Sequence, residues 1–357
     1  MTTLTNGIII NLITDKNDLI NKDYNLNEIV SLSKTLKIKC QSSLNVKINK
    51  FYSSTLLSKG KLSELKDVIN NKNIDLLVCN YLLTPSQQKN LEKILNIKVI
   101  DRTGLIIEIF ADRALTSEGK LQVELANLNY RKSRLVRAWT HLERQRGGHS
   151  FIGGPGELQI ELDKRLIQER INVVKKELNK IIKRRFNQRY NRRKNINKSF
   201  ALVGYTNSGK STLFNVLTKK NVYVKDELFA TLDTKISKIF LGDQNATIID
   251  TVGFISKIPT QLIDAFKATL EEVNESDVLI NVVDINDINF RDKIKTTKRT
   301  LLNTGVSHEK IKNMITVYNK IDKFRDREFK NTGNRAYVSA IEGRGIEGLR
   351  DILAKNN

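Results

Sequence analysis

The sequence predicts an α/β protein in three parts. These are a small N-terminal α/β domain over 1–112, a long antiparallel two-helix hairpin over 113–198, and a C-terminal phosphate-loop domain with a mainly parallel sheet over 199–357. Three observations carry that prediction. Strand-like and helix-like runs alternate through the first 112 residues, an apolar seam stepping by four and three runs through the middle, and Phe200–Thr212 (FALVGYTNSGKST) reads as strand, glycine-bounded loop and helix start. Alternation of strand and helix implies a sheet of mostly parallel strands.

In the N-terminal part, Gly7–Ile13, Ile74–Cys79 and Ile97–Ile100 read as strands; Leu26–Leu36, Leu62–Ile69 and Pro85–Leu95 read as helices, the last opening after a Thr84 cap. No catalytic constellation stands out, and Gly60-Lys61 is too short for a nucleotide loop. A docking domain is the plain reading.

From Thr116 the pattern lengthens. Leu121, Leu125, Leu128, Leu135, Trp139 and Leu142 mark one narrow seam, with Lys132 in its one gap; Ile160, Ile167, Ile171, Val174, Leu178 and Ile181 mark a second. Two seams and one connector predict a hairpin with arms of about 25 residues, each nearly 40 Å long at ~1.5 Å per residue. Between Arg113 and Lys198 there are 22 Lys and Arg against 8 Asp and Glu, which supplies 14 of the chain's 22 net positive charges. The densest run is Lys183, Arg184, Arg185, Arg189, Arg192, Arg193 and Lys194, and acidic residues are nearly absent after Glu177. A solvated face would mix signs, so a phosphate backbone is the expected partner. The connector 146–156 (RGGHSFIGGPG) holds five glycines that permit close approach to another surface, where Arg146, His149 and Phe151 would contact RNA.

The C-terminal part carries the chemistry. Gly204-Tyr205-Thr206-Asn207-Ser208-Gly209-Lys210-Ser211-Thr212 has the spacing with which successive backbone N–H groups wrap phosphates. Lys210 would reach the β and γ phosphates, Ser211 would ligand Mg²⁺, and the following helix offers its positive end. Asp250-Thr251-Val252-Gly253, after the strand-like run Ala246–Ile249, would hold Mg²⁺ through water and sense the γ-phosphate. In Phe229-Ala230-Thr231-Leu232-Asp233 the Thr231 hydroxyl is the expected second Mg²⁺ ligand, with Thr234 competing. Asn319-Lys320-Ile321-Asp322 presents a carboxylate that can accept two hydrogen bonds from guanine and none of that kind from adenine. Ser339-Ala340 adds a backbone contact to the base. The ordered set resembles a translation-factor-type GTPase domain, with GTP and GDP as ligands.

Phe254 occupies the position after Asp-x-x-Gly where many such GTPases carry a water-orienting glutamine. Slow hydrolysis by the isolated chain follows, with the missing group supplied by a partner, another loop or a cation. Asn207 resembles the asparagine that some potassium-dependent GTPases use as an ion ligand, which adds K⁺ to the expected ions.

A pI near 9.8 implies a large polyanionic partner, nucleic acid or an anionic membrane surface. No apolar run is long enough for a membrane span, and Met1–Thr14 lacks the basic start of a secretion signal. A cytoplasmic monomer is expected, with peripheral membrane association compatible with its charge. Cys40 and Cys79 read as buried reduced thiols, and His141, His149 and His308 form no ligand spacing for a transition metal.

Longer motifs extend the resemblance over nearly the whole chain. Leu83-Thr84-Pro85-Ser86-Gln87-Gln88 with Asn90-Leu91-Glu92, Asp101-Arg102-Thr103-Gly104, Glu118-Gly119-Lys120-Leu121-Gln122-Val123-Glu124-Leu125 and Gly154-Pro155-Gly156-Glu157 resemble the HflX family of Obg-HflX GTPases. The resemblance implies docking on the large ribosomal subunit and its rRNA, a hairpin directed at the peptidyl-transferase region, splitting of stalled or idle ribosomes under stress, and hydrolysis stimulated by the ribosome. No DNA sequence specificity is implied. An assembly or anti-association factor timed by slow hydrolysis is the alternative; an ATP-driven RNA remodeller is the third reading, and Asp322 argues against it. Members often carry arginine where this chain has Gly153, some continue beyond the Leu349–Ala354 helix, and members have been linked to ATP use through the N-terminal region, where no such site can be read here.

Overall fold

The computed structural model describes residues 5–145, 155–193, 198–219, 228–229, 233–242, 244–255, 267–324 and 328–356. Arg146, His149 and Phe151 of the connector, and Ala230 and Thr231, lie outside these. The chain divides into two compact units, 1–112 with 123–175, and 113–122 with 176–357.

The first unit is built on four parallel strands, β1 (Asn6–Ile13), β2 (Lys39–Lys47), β3 (Leu76–Cys79) and β4 (Lys98–Asp101), in the order β2-β1-β3-β4. β1 is apolar almost throughout and buried along its length, as a strand covered on both faces must be. β2 (KCQSSLNVK) escapes the sequence reading because it is a polar edge strand with only Val46 fully buried. The helices are α1 (Lys16–Ile20), α2 (Lys22–Thr35), α3 (Lys59–Lys72), α4 (Pro85–Leu95) and α5 (Arg102–Arg113). α4 opens on a full capping box, with the Thr84 hydroxyl accepting from the Gln87 N–H and the Gln87 side chain accepting from the Thr84 N–H. Of the two cysteines, Cys79 is buried and Cys40 is half-buried, each a thiol.

The Asp101-Arg102-Thr103-Gly104 motif is a structural junction. Asp101 accepts from the backbone N–H of Gly104 (2.8 Å) and Leu83 (3.3 Å), from the Tyr130 hydroxyl (2.8 Å) and from the Arg134 guanidinium (2.7 Å). Arg134 also lies 4.2 Å over the Tyr130 ring. Arg102 pairs with Glu28 at 2.6 Å, both buried.

The hairpin helices are α6 (Ser117–Gln145) and α7 (Pro155–Arg193). At 29 and 39 residues they exceed the predicted 25, α7 because the helical sequence continues beyond its seam into the charged run. Within the first unit the seam is only partly buried: Leu125, Ile171 and Val174 are buried, but Leu128, Leu135 and Ile167 are half-buried, and off the seam Val123 and Ala126 are buried while Leu162 and Leu166 are exposed. Arg170 clasps Glu124 through two hydrogen bonds of 2.6 and 3.0 Å.

The second unit holds six strands, β5 (Lys198–Val203), β6 (Lys235–Leu241), β7 (Gln244–Asp250), β8 (Val278–Asp284), β9 (Ile315–Asn319) and β10 (Arg335–Tyr337), ordered β10-β9-β8-β5-β7-β6. All pairs are parallel except β6 with β7. Central β5 alternates between two cores, Phe200 and Leu202 in one and Ala201 and Val203 in the other. The parallel strands therefore end along one edge, where ligands of open α/β sheets bind.

Candidate functional site

β5 runs into the phosphate loop, and α8 (Lys210–Thr218) leaves it. Gly204 has φ +140°, and a Cβ there would stand 2.3 Å from the Val282 carbonyl oxygen. Gly209, at φ +89°, caps α8, and a Cβ there would stand 2.1 Å from Asn319 Nδ2. Both positions exclude any side chain, as the spacing predicted. Asn207 also takes a positive φ of 59°. Thr206 and Ser208 are buried, and their hydroxyls have no protein partner among the described residues; Thr212 is half-buried at the helix start.

Lys210 is buried and donates to the Tyr205 carbonyl at 2.8 Å. Burial pulls its ammonium down from an ordinary 10.5 to about 8, against the opposing field of Asp250. The Ser211 hydroxyl donates to Asp250 Oδ2 at 2.7 Å, so a hydroxyl and a buried carboxylate converge beside the loop. After β7, the Thr251 hydroxyl donates to the Leu202 carbonyl at 2.6 Å, Val252 is half-buried, and Gly253 packs so closely that a Cβ would lie 2.8 Å from Thr206 Cα. The two loops are stitched together: Phe254 N–H donates to Gly204 O (3.0 Å) and Thr206 N–H donates to Phe254 O (2.8 Å). The Phe254 ring sits in the apolar cluster with Val203, Ile249, Val273 and Leu279. Its backbone serves the loop and its side chain serves the core.

Asn319 ties three loops together. Its Nδ2 donates to the Ser208 carbonyl at 2.9 Å and its Oδ1 accepts from Ala340 N–H at 3.0 Å. Asp322 accepts from the Ser339 hydroxyl at 2.7 Å. Lys320, at φ +67°, pairs with Asp284 at 2.8 Å, and Asn286 donates to its carbonyl. Burial raises the Asp284 carboxyl, but the Lys320 and Asn286 hydrogen bonds outweigh it and hold the group below the usual carboxylate range. Sequence reasoning missed Asp284 and Asn286, which carry no motif of their own.

Of the Phe229-Ala230-Thr231 segment, only Phe229 is described, buried with φ +57°. The two residues that follow the segment's Leu232 are fixed to the hairpin base within the second unit. Asp233 accepts from the N–H groups of Leu115 and Thr116, both at 3.0 Å, and from the Thr116 hydroxyl. The Thr234 hydroxyl accepts from Arg185 at 3.2 Å, and Arg185 pairs with Glu118 at 2.7 Å. Burial pushes the Glu118 carboxyl up, opposed by Arg185 and reinforced by Glu272, Asp233 and Glu271. Thr234 is thus engaged by α7.

A phosphate loop after β5, Asp-x-x-Gly after β7 and Asn-Lys-x-Asp after β9, on one edge of a parallel sheet, define a P-loop GTPase domain that binds guanine nucleotides. Three family models match in succession: "GTP-binding GTPase N-terminal" over 23–111, "GTP-binding GTPase Middle Region" over 113–192 and "50S ribosome-binding GTPase" over 199–320. GTPase HflX of Magnetococcus marinus is 48% identical over 335 residues, covering 92% of this chain and 77% of that protein. GTPase HflX of Escherichia coli is 43% identical over 306 residues, covering 84% and 71%. A crystal structure of SsGBP with GDP aligns over 99% of this chain and 98% of that one at 27% identity and a TM-score of 0.51. The chain belongs to the HflX GTPase family, and it is a GTPase. Among the described residues no helix is long and apolar enough to cross a membrane.

Proposed function

We propose that the chain is a GTP-driven factor of the cytoplasm that binds the large ribosomal subunit through its rRNA and dissociates stalled or idle ribosomes under stress. The observation that carries the reading is that the base of the basic hairpin belongs to the same compact unit as the GTPase site, with Asp233 and Thr234 hydrogen-bonded to it. Functionally the chain divides at 112 and 198 into docking domain, RNA-directed hairpin and nucleotide motor. The matched "50S ribosome-binding GTPase" model supports the ribosomal partner.

At the nucleotide, residues 204–212 wrap the phosphates, and Lys210 supplies charge to the β and γ groups. Asn319, Asp322, Ser339 and Ala340 hold the base, with Asp322 selecting guanine, while Lys320 braces that loop against Asp284. The Ser211 hydroxyl and the nearby Asp250 form an oxygen-donor set suited to Mg²⁺, which Asp250 would hold through water. Bound Mg²⁺ neutralises phosphate charge. Thr231 would be the second hydroxyl for that ion, and the hydrogen bond from Arg185 to Thr234 supports it over Thr234. Thr231 and Gly253 report the γ-phosphate, and Asn207 is the ligand for K⁺ if a monovalent ion completes the site. Phe254 supplies no water-orienting group, so the ribosome triggers hydrolysis.

Sedimentation of intact ribosomes with the protein and a non-hydrolysable GTP analogue tests the reading. Separation into subunits supports it. Binding without separation replaces it with an assembly or anti-association factor timed by slow hydrolysis.

A further inference from the structure

We propose that an aromatic cleft beside β9 and β10 is a binding site for unpaired RNA, distinct from the basic hairpin; the proposal rests on the reading of the chain as a ribosome-binding factor. Parallel neighbours such as β9 and β10 are usually joined by a crossover helix. Here the only helix among the described residues of the connection is the 3-10 turn Ile321–Lys323. Rings cover that part of the sheet instead. Phe329 stacks on Tyr337 at 5.0 Å and 22°, and Tyr337 stacks on Tyr318 at 5.0 Å and 17°. Phe290 meets Tyr318 edge-on at 6.2 Å, and Phe324 meets Phe329 edge-on at 5.9 Å. All five rings are half-buried, and they line an open cleft of about 830 Å³.

The charge on the cleft is positive. Arg291, Lys295, Lys330 and Arg335 line it, all exposed, against the single carboxylate Glu328. Asp292 pairs with Lys295 at 3.2 Å, but among the described residues Lys330 and Arg335 have no carboxylate partner. Half-open rings flanked by cations are the composition of single-stranded nucleic-acid sites, in which bases stack on the rings and phosphates meet the charges. A docked amphipathic helix needs an aliphatic groove, and the aliphatic lining here is two isoleucines. Tyr318 immediately precedes Asn319, and Tyr337 stands two residues before Ser339. RNA in the cleft therefore touches the strands that carry the base-recognition loops.

The test uses the full-length protein and a short unstructured RNA carrying photoreactive 4-thiouridine, with crosslinked peptides mapped by mass spectrometry. Parent, Phe329→Leu and the double variant Lys330→Gln, Arg335→Gln are compared. Crosslinks within 318–337 are expected to fall at least about fivefold in both variants, from lost stacking in one and lost charge in the other. Hairpin crosslinks and intrinsic GTP turnover stay unchanged, which shows that the variants fold. Crosslinks confined to 113–198, or equal in all three proteins, overturn the proposal. With large ribosomal subunits in place of the short RNA, a crosslink from 318–337 to a ribosomal protein overturns it in favour of a protein occupant. A parent that fails to bind subunits at all removes the ribosomal reading instead, and the short RNA then decides the cleft.

Discussion

Lys210 offers a prediction with a definite sign and size. The nucleotide-free site holds this lysine near a pKa of about 8, because burial penalises its charge more than Asp250 favours it. Phosphates need the charged form, and their own charge restores it. Below pH 8 the cation is in place and affinity is flat. Above pH 8 binding must take up a proton, so affinity falls by up to tenfold per pH unit, or about 1.4 kcal/mol. Between about pH 7 and about pH 9 the expected loss in GDP affinity is roughly tenfold. The effect on stability runs in the opposite direction. The folded pKa is depressed, so the unfolded chain binds more protons between pH 8 and 10.5, and nucleotide-free stability rises with pH through that window. The penalty relieved is about 3 kcal/mol, present in full below pH 8. Titration calorimetry with GDP across this range measures the first effect. Guanosine, which lacks phosphates, controls for titration of the base, and Lys210→Ala should flatten the profile. A tenfold loss absent from the parent would show that the buried lysine keeps its ordinary pKa, and the reasoning would fail.

Gly209→Ala must place a methyl 2.1 Å from Asn319 Nδ2 at φ +89°, so GDP binding in a filter assay should fall by at least about tenfold while circular dichroism stays native. Asp322→Asn should move base preference from guanine to xanthine nucleotides; parental GTP hydrolysis by that variant would contradict the base assignment. Asp233→Ala removes three acceptor contacts at the start of α6 and should lower stability by about 1–3 kcal/mol in denaturant melts, and an unchanged midpoint would show that the cap is idle. Gly119→Ala should share that loss, because its methyl would meet Asp233 Oδ1.

The legible parts of the fold were those in which one signal dominates. β1, β3 and β5 are runs of buried apolar residues, and α4 announces itself through Thr84, Pro85 and Gln87. The phosphate loop, Asn319 and Asp322 were legible because their chemistry forces residue type and spacing together. Other features were hidden for physical reasons. β2 is polar because it lies at an edge, and the short apolar run Leu105–Phe110 within α5 suits a buried strand as well as a helix. Phe254 reads in sequence as a missing catalytic group; its burial with Val203 and Leu279 shows what the ring does instead. The cap of Asp233 on Thr116 joins residues 117 apart, and a contact between distant polar residues leaves no local pattern.

The decisive comparison is GTP turnover by the full-length protein with and without isolated large ribosomal subunits. With the Phe254 ring held in the core and no water-orienting side chain at that position, the account predicts slow turnover alone and stimulation of at least about tenfold by subunits, lost in Lys210→Ala. Turnover that is equal with and without subunits would contradict it.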